Sequence, residues 1–145
     1  MPVTSKKEYN NAKRNLMSSA NQSIPVLVAG ALGRMGSEVI KAINSSNDYQ
    51  LVGAIDNQKD KEGQDIGSLL GLGALDVFLS SDFEGSLCAA SQNVPKDGSN
   101  NGAVLVDFTH PKFAYKHTRT SIAYGVHPVI AVSYTHLTLP TIYSV

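Results

Sequence analysis

Seven residues, Gly30-Ala31-Leu32-Gly33-Arg34-Met35-Gly36, carry the first chemistry legible in the 145-residue chain. Glycines at this spacing let a backbone turn tightly and let a phosphate approach it without meeting a side chain. Gly33 is the position where a side chain would obstruct the phosphate, and Gly36 lets the next helix pack closely on the strand before it. That helix would offer unpaired N–H donors and a partial positive charge to a pyrophosphate. Asp56 lies twenty residues beyond Gly36. A carboxylate at the end of the next strand can accept both hydroxyls of an adenosine ribose. The same glycines would also suit a purely structural turn, but the strand, loop and helix context with the acid favours a dinucleotide. Asp56 repels a ribose 2′-phosphate and leans toward NAD. Arg34, or less readily Lys59 or Lys61, would offset that charge and admit NADP. The two lysines otherwise read as solvated loop charge.

A second group is Val106-Asp107-Phe108-Thr109-His110-Pro111. It falls at the carboxyl end of a later strand, where ligands gather in open parallel sheets. Phe108 is a candidate neighbour of a nicotinamide ring and Thr109 a candidate hydrogen-bond partner of the cofactor. Asp107 either contacts the ligand or caps the turn before Pro111, and the sequence leaves both open. His110 has no recognisable acid partner and reads as an exposed residue at a helix start. His117 and His127 lack metal-ligand spacing, so no metal is assigned. Cys88, among Leu87, Ala89 and Ala90, reads as a buried, inert thiol.

These groups require alternating strands and helices to hold them. The apolar run 24–29 is a buried strand, with Pro25 tolerated near its start. Met35 to Asn44 is a helix with Met35, Val39, Ala42 and Ile43 on its apolar face and Glu38 and Lys41 outside. Further strands are expected at Gln50–Asp56, Val77–Leu79, Ala103–Phe108 and from Val126 onward. Helices are expected at Phe83–Gln92 and from Pro111 to Ala123. Asn93 to Gly102 is a turn-rich loop. The fold class is therefore α/β, a parallel sheet with helices on both faces.

Composition sets the outer limits. Lys plus Arg and Asp plus Glu are 12 each, giving a net charge of zero. That removes the usual reason to expect nucleic acid or an anionic membrane as partner. A single cysteine excludes an intrachain disulfide framework. No run approaches the ~20 apolar residues of a membrane span.

The glycine loop, with Gly-Arg-Met-Gly its most specific part, resembles the 4-hydroxy-tetrahydrodipicolinate reductase (dihydrodipicolinate reductase) family. Gly53-Ala54-Ile55-Asp56, Gly63-Gln64-Asp65-Ile66-Gly67, Gly71-Leu72-Gly73 and the 106–111 block strengthen the likeness, which covers Ile24 to Ile130. The resemblance implies a Rossmann-like cofactor domain using NADH or NADPH. It also implies hydride transfer to a cyclic dihydropicolinate-type substrate in lysine and diaminopimelate biosynthesis. The expected compartment is cytoplasmic, or plastidial. The cofactor-binding residues it implies are Gly30, Ala31, Leu32, Gly33, Arg34, Met35, Asp56, Phe108 and Thr109. No catalytic residue is assigned in this chain. In the family a second domain binds substrate and commonly builds a homotetramer. The family's Gly-Thr-Thr-Gly loop, which follows the last strand and touches the nicotinamide, and its paired-histidine motif have no counterpart here, where Ala131-Val132-Ser133-Tyr134 follows that strand. The expectation is a domain truncated before the substrate and tetramerisation part, inactive alone and with apolar surface left uncovered.

Three segments result. Residues 1–23 read as a disordered polar leader, with Met17 an alternative start. Residues 24–131 are the dinucleotide-binding domain. Residues 132–145 resemble a translated sequencing-library adaptor, a tail outside the fold. Two other functions fit a glycine loop of this kind: a non-catalytic, nucleotide-occupied regulatory module, and the Rossmann domain of another enzyme such as homoserine dehydrogenase or a CoA ligase subunit.

Overall fold

A computed structural model describes residues 23–92 and 102–131. The leader (to residue 22), most of the 93–102 loop and the 132–145 tail lie outside the described residues. Five strands form one sheet: β1 (Ile24–Ala29), β2 (Tyr49–Ile55), β3 (Leu79–Ser80), β4 (Val104–Asp107) and β5 (His127–Ile130). Their spatial order is β3-β2-β1-β4-β5, and every pair of neighbours is parallel. The chain steps outward from β1 to β3, then crosses back to place β4 on the other side of β1. That reversal opens a crevice at the carboxyl ends of β1 and β4, where such sheets bind ligands.

Among the described residues four α-helices connect the strands: α1 (Arg34–Asn44), α2 (Ile66–Leu69), α3 (Phe83–Gln92) and α4 (Ala114–Ala123). Val26 and Val28 of β1 face α1 and α2, packing with Ile40, Ile43 and Ile66. Leu27 and Ala29 face the opposite side, with Leu87 and Ala90 of α3 and Leu105 of β4. Alternation along one strand thus feeds two cores. Leu27, Ile40 and Leu105 are fully buried, each worth about 2 kcal/mol in surface removed from water. Pro25 is accommodated because pairing with β4 begins only at Val26, so β1 has β2 alone beside it there.

Several element readings need correction. The buried stripe of α1 is Gly36, Ile40 and Ile43; Met35 is 57% exposed and Ala42 is also exposed. Gly36, expected to let the helix pack closely, is buried on that stripe, where its missing side chain lets the helix approach. The third strand is shifted to Leu79–Ser80, because Phe78 instead bridges antiparallel to Asp65. Pro111–Phe113 forms a separate tight turn before α4. The short α2 was not foreseen, since four residues are too few to show a period.

Cys88 is half-buried rather than buried. The face carrying α1 remains open beyond it. Val104 and Val106 line an apolar groove with Val26, Val39, Ala42 and Ile43, and Val129, paired with Val106, is 51% exposed.

Candidate dinucleotide site

The glycine loop is held by its own backbone. Gly30 has φ +77°, a region open to glycine and strained for other residues. Its N–H and that of Ala31 both donate to the Ile55 carbonyl, at 2.9 and 3.1 Å. Gly33 donates to the Gly30 carbonyl at 3.0 Å. Leu32 donates to Asp56 Oδ2 at 2.9 Å, and Asn57 donates to Asp56 Oδ1 at 2.7 Å. Asp56 therefore does more than end a strand: it clamps the loop of β1 to the end of β2, keeping lone pairs on both oxygens.

With those donors consumed internally, the outward donors are the first-turn N–H groups of Arg34, Met35 and Gly36. Gly33, the N-cap, supplies no side-chain acceptor, and the first turn contains no acid. The first bond within the helix is Ser37 to Gly33, at 3.0 Å. The positive end of an eleven-residue helix is thus left uncompensated, as an anion site requires. A Cβ on Gly36 would lie 2.0 Å from the Gly30 carbonyl oxygen. Its close packing is against the start of the loop itself.

The carboxyl end of β4 is built from side chains instead. Asp107 is fully buried. One oxygen accepts from both the backbone N–H and the hydroxyl of Thr109. The other meets His117 Nδ1 at 2.7 Å. The two alternatives left open for Asp107 resolve toward the turn, with His117 as an added partner from α4. His117 stacks between Phe83 of α3, ring centroids 4.0 Å apart, and Phe113, 5.6 Å apart. Phe108 donates its N–H to the Ala29 carbonyl at 3.0 Å, and its backbone lies 3.2 Å from where a Gly30 Cβ would be. The two loops therefore touch. His110 is exposed and caps its own turn, accepting from the Lys112 N–H at 3.2 Å.

Two cavities flank the contact between the loops. One, of about 160 Å³, is lined by Gly30, Asp56, Asn57, Ser81, Phe83, Thr109, Phe113, Lys116 and His117. The other, of about 340 Å³, is lined by Gly33, Arg34, Met35, Gly36, Phe108, Thr109, Pro111 and Ala131. Gly30, Gly33, Arg34, Met35, Asp56, Phe108 and Thr109 are therefore brought together, while Lys59 and Lys61 line neither cavity. Sequence reasoning missed Asn57, Ser81, Phe83, Phe113, Lys116 and His117. The only signal for them was position, just beyond strand ends or within the first turns of the following helices. Among the described residues no group of three metal-ligating side chains converges, and no helix is long and apolar enough to cross a membrane.

Glycine loop, uncompensated helix end, and carboxylate at the tip of β2 define the class: a Rossmann-like dinucleotide-binding domain. A sequence profile described as dihydrodipicolinate reductase, N-terminus, matches residues 24–135. The chain belongs to the dihydrodipicolinate reductase family and corresponds to its N-terminal, NAD(P)H-binding domain. It is 93% identical over 117 residues to 4-hydroxy-tetrahydrodipicolinate reductase of Prochlorococcus marinus strain NATL2A, covering 81% of this chain and 42% of that protein. With the enzyme of the same name from Synechococcus sp. strain CC9605 it shares 64% identity over 110 residues, covering 76% and 39%. The chain thus spans about two fifths of the length of these curated relatives.

Two solved structures share the fold. A dipicolinate-bound dihydrodipicolinate reductase from Paenisporosarcina sp. TG-14 matches with TM-score 0.55 at 22% identity, over 79% of this chain and 39% of that one. An oxidoreductase from Sinorhizobium meliloti matches with TM-score 0.55 at 16% identity, over 75% and 29%.

Proposed function

We propose that this domain holds NADH or NADPH across the β1 and β4 loops, as the hydride-donating part of a 4-hydroxy-tetrahydrodipicolinate reductase. The observation that carries this reading is the first turn of α1, whose N–H donors and dipole have no side-chain acceptor or acid to answer them. Gly30, Ala31, Leu32 and Gly33 act by shape, because their N–H groups are already spent on Ile55, Asp56 and the Gly30 carbonyl. Arg34, Met35 and Gly36 donate to the pyrophosphate. Asp56 accepts from the adenosine ribose while still clamping Leu32. Phe108 and Thr109 border the nicotinamide side, Thr109 being fixed there by Asp107.

When bound, the cofactor supplies a hydride to an electrophilic carbon of the cyclic substrate. This chain's contribution is to orient the donor, since transfer depends on the geometry of the two reacting atoms. Substrate binding and proton delivery fall to the portion of the longer relatives that this chain does not span. The whole protein is proposed to act as a homotetramer in the cytoplasm, in lysine and diaminopimelate biosynthesis. The net charge of zero supports small-molecule rather than nucleic-acid or membrane partners.

Calorimetric titration of the chain with NADH and NADPH tests the reading. Saturable, one-to-one binding that is lost in Gly33→Val, with folding retained, is the expected result. Unchanged binding in that variant would refute the assignment of the loop.

A further inference from the structure

The cavity beside Asp56 contains a cation that the cofactor reading leaves unused. Lys116, on α4, lines it together with Asp56, Asn57 and Ser81. Arg34 lines the other cavity. Between Phe108 and Ala131 there is no acidic residue, so α4 has no internal carboxylate for its cations. The two nearest cations in sequence are occupied by aromatic groups: the Lys112 ammonium lies 4.9 Å above the Phe113 ring, and Arg119 donates to the Tyr115 hydroxyl at 3.5 Å. Of the three, Lys116 alone has no aromatic contact, ion pair or hydrogen bond at its charged group among the described residues.

One carboxylate lines the same cavity and a second lies just outside it. Asp56 presents a carboxylate, and Glu62 stands behind Ser81, accepting from its hydroxyl at 2.9 Å. Two carboxylates would repel a ribose 2′-phosphate unless a cation met it. We propose that Lys116 is the specificity-determining cation that meets a ribose 2′-phosphate beside Asp56, so that the domain accepts NADPH as well as NADH. The inference rests on the cofactor reading above and adds its 2′-phosphate contact.

Titrations of the chain with NADH, NADPH, 5′-AMP and adenosine 2′,5′-bisphosphate test it, comparing wild type with Lys116→Gln and Lys112→Gln. Lys116→Gln should weaken NADPH and the 2′,5′-bisphosphate about tenfold, the loss of one charge-assisted phosphate contact. NADH and 5′-AMP should stay within about twofold, because they lack that phosphate. Lys112→Gln should leave all four ligands unchanged. Equal weakening of NADH and NADPH would overturn the proposal, since Lys116 would then serve the part common to both cofactors. No change for any ligand would overturn it as well. Failure of the wild type to bind any of the four would refute the cofactor reading itself, and this inference with it.

Discussion

The loops that follow β1 and β4 lie side by side, yet they are built on opposite principles. The β1 loop is backbone: glycines, a positive φ, N–H groups donated to the Ile55 and Gly30 carbonyls and to Asp56. The β4 loop is side chain: one buried carboxylate holding Thr109 and His117. A backbone loop fails when volume is added, and a side-chain loop fails when an acceptor is removed. The first arrangement leaves its surface free for a ligand, whereas the second fixes a wall against which a ligand can rest.

Gly36→Val should have the largest effect. A Cβ would sit 2.0 Å from a backbone oxygen that cannot move aside, so urea denaturation should show a loss of about 4 kcal/mol or failure to fold. Asp107→Ala should follow, at about 3 kcal/mol, because it strands buried donors on Thr109 and His117. Asp107→Asn, which keeps an acceptor, should cost less. If Asp107→Ala proved as mild as an exposed substitution, the contrast between the loops would collapse.

Gly33→Val should change stability by less than about 1 kcal/mol, since its φ of −72° is ordinary and a Cβ there is only crowded, 3.2 Å from the Gly30 oxygen. It should nevertheless abolish dinucleotide binding. Stability and binding thus separate at two glycines three residues apart.

The smallest effect should come from Asp65, which caps α2. The Leu75 N–H above all, with those of Ser68 and Asp76, holds its carboxyl below the usual value against an opposing effect of burial. A depressed carboxylate stabilises the fold above its unfolded-state pKa, and that contribution disappears as pH falls through the lower folded value. Asp65→Asn should therefore flatten the acid limb of a stability–pH curve while leaving NADH binding at neutral pH unchanged.

The same contrast explains what could be read before the fold was known. A requirement for glycine is written directly into sequence, so Gly30, Gly33, Gly36 and, through its spacing, Asp56 were legible. The parallel sheet with helices on both faces followed from the alternating elements, whereas the order of its strands came only with the structure. The pairing of Asp107 with His117 was not legible, because a ten-residue separation acquires meaning only when a strand end and a helix's first turns are folded together. Metal-ligand spacing says nothing of His117, whose partner is a single buried carboxylate. Lys116 was overlooked for a related reason. Its meaning lies in the absence of any acid along α4 and in the cavity it shares with Asp56, which is distant in sequence.

The central claim is that the dinucleotide rests on the N-terminus of α1. Amide chemical-shift changes in a ¹⁵N-labelled chain titrated with NADH test it most directly. The largest saturable shifts should fall on the N–H groups of Arg34, Met35 and Gly36, with smaller ones at Thr109. Saturable shifts confined to other elements, with those three amides unmoved, would contradict it.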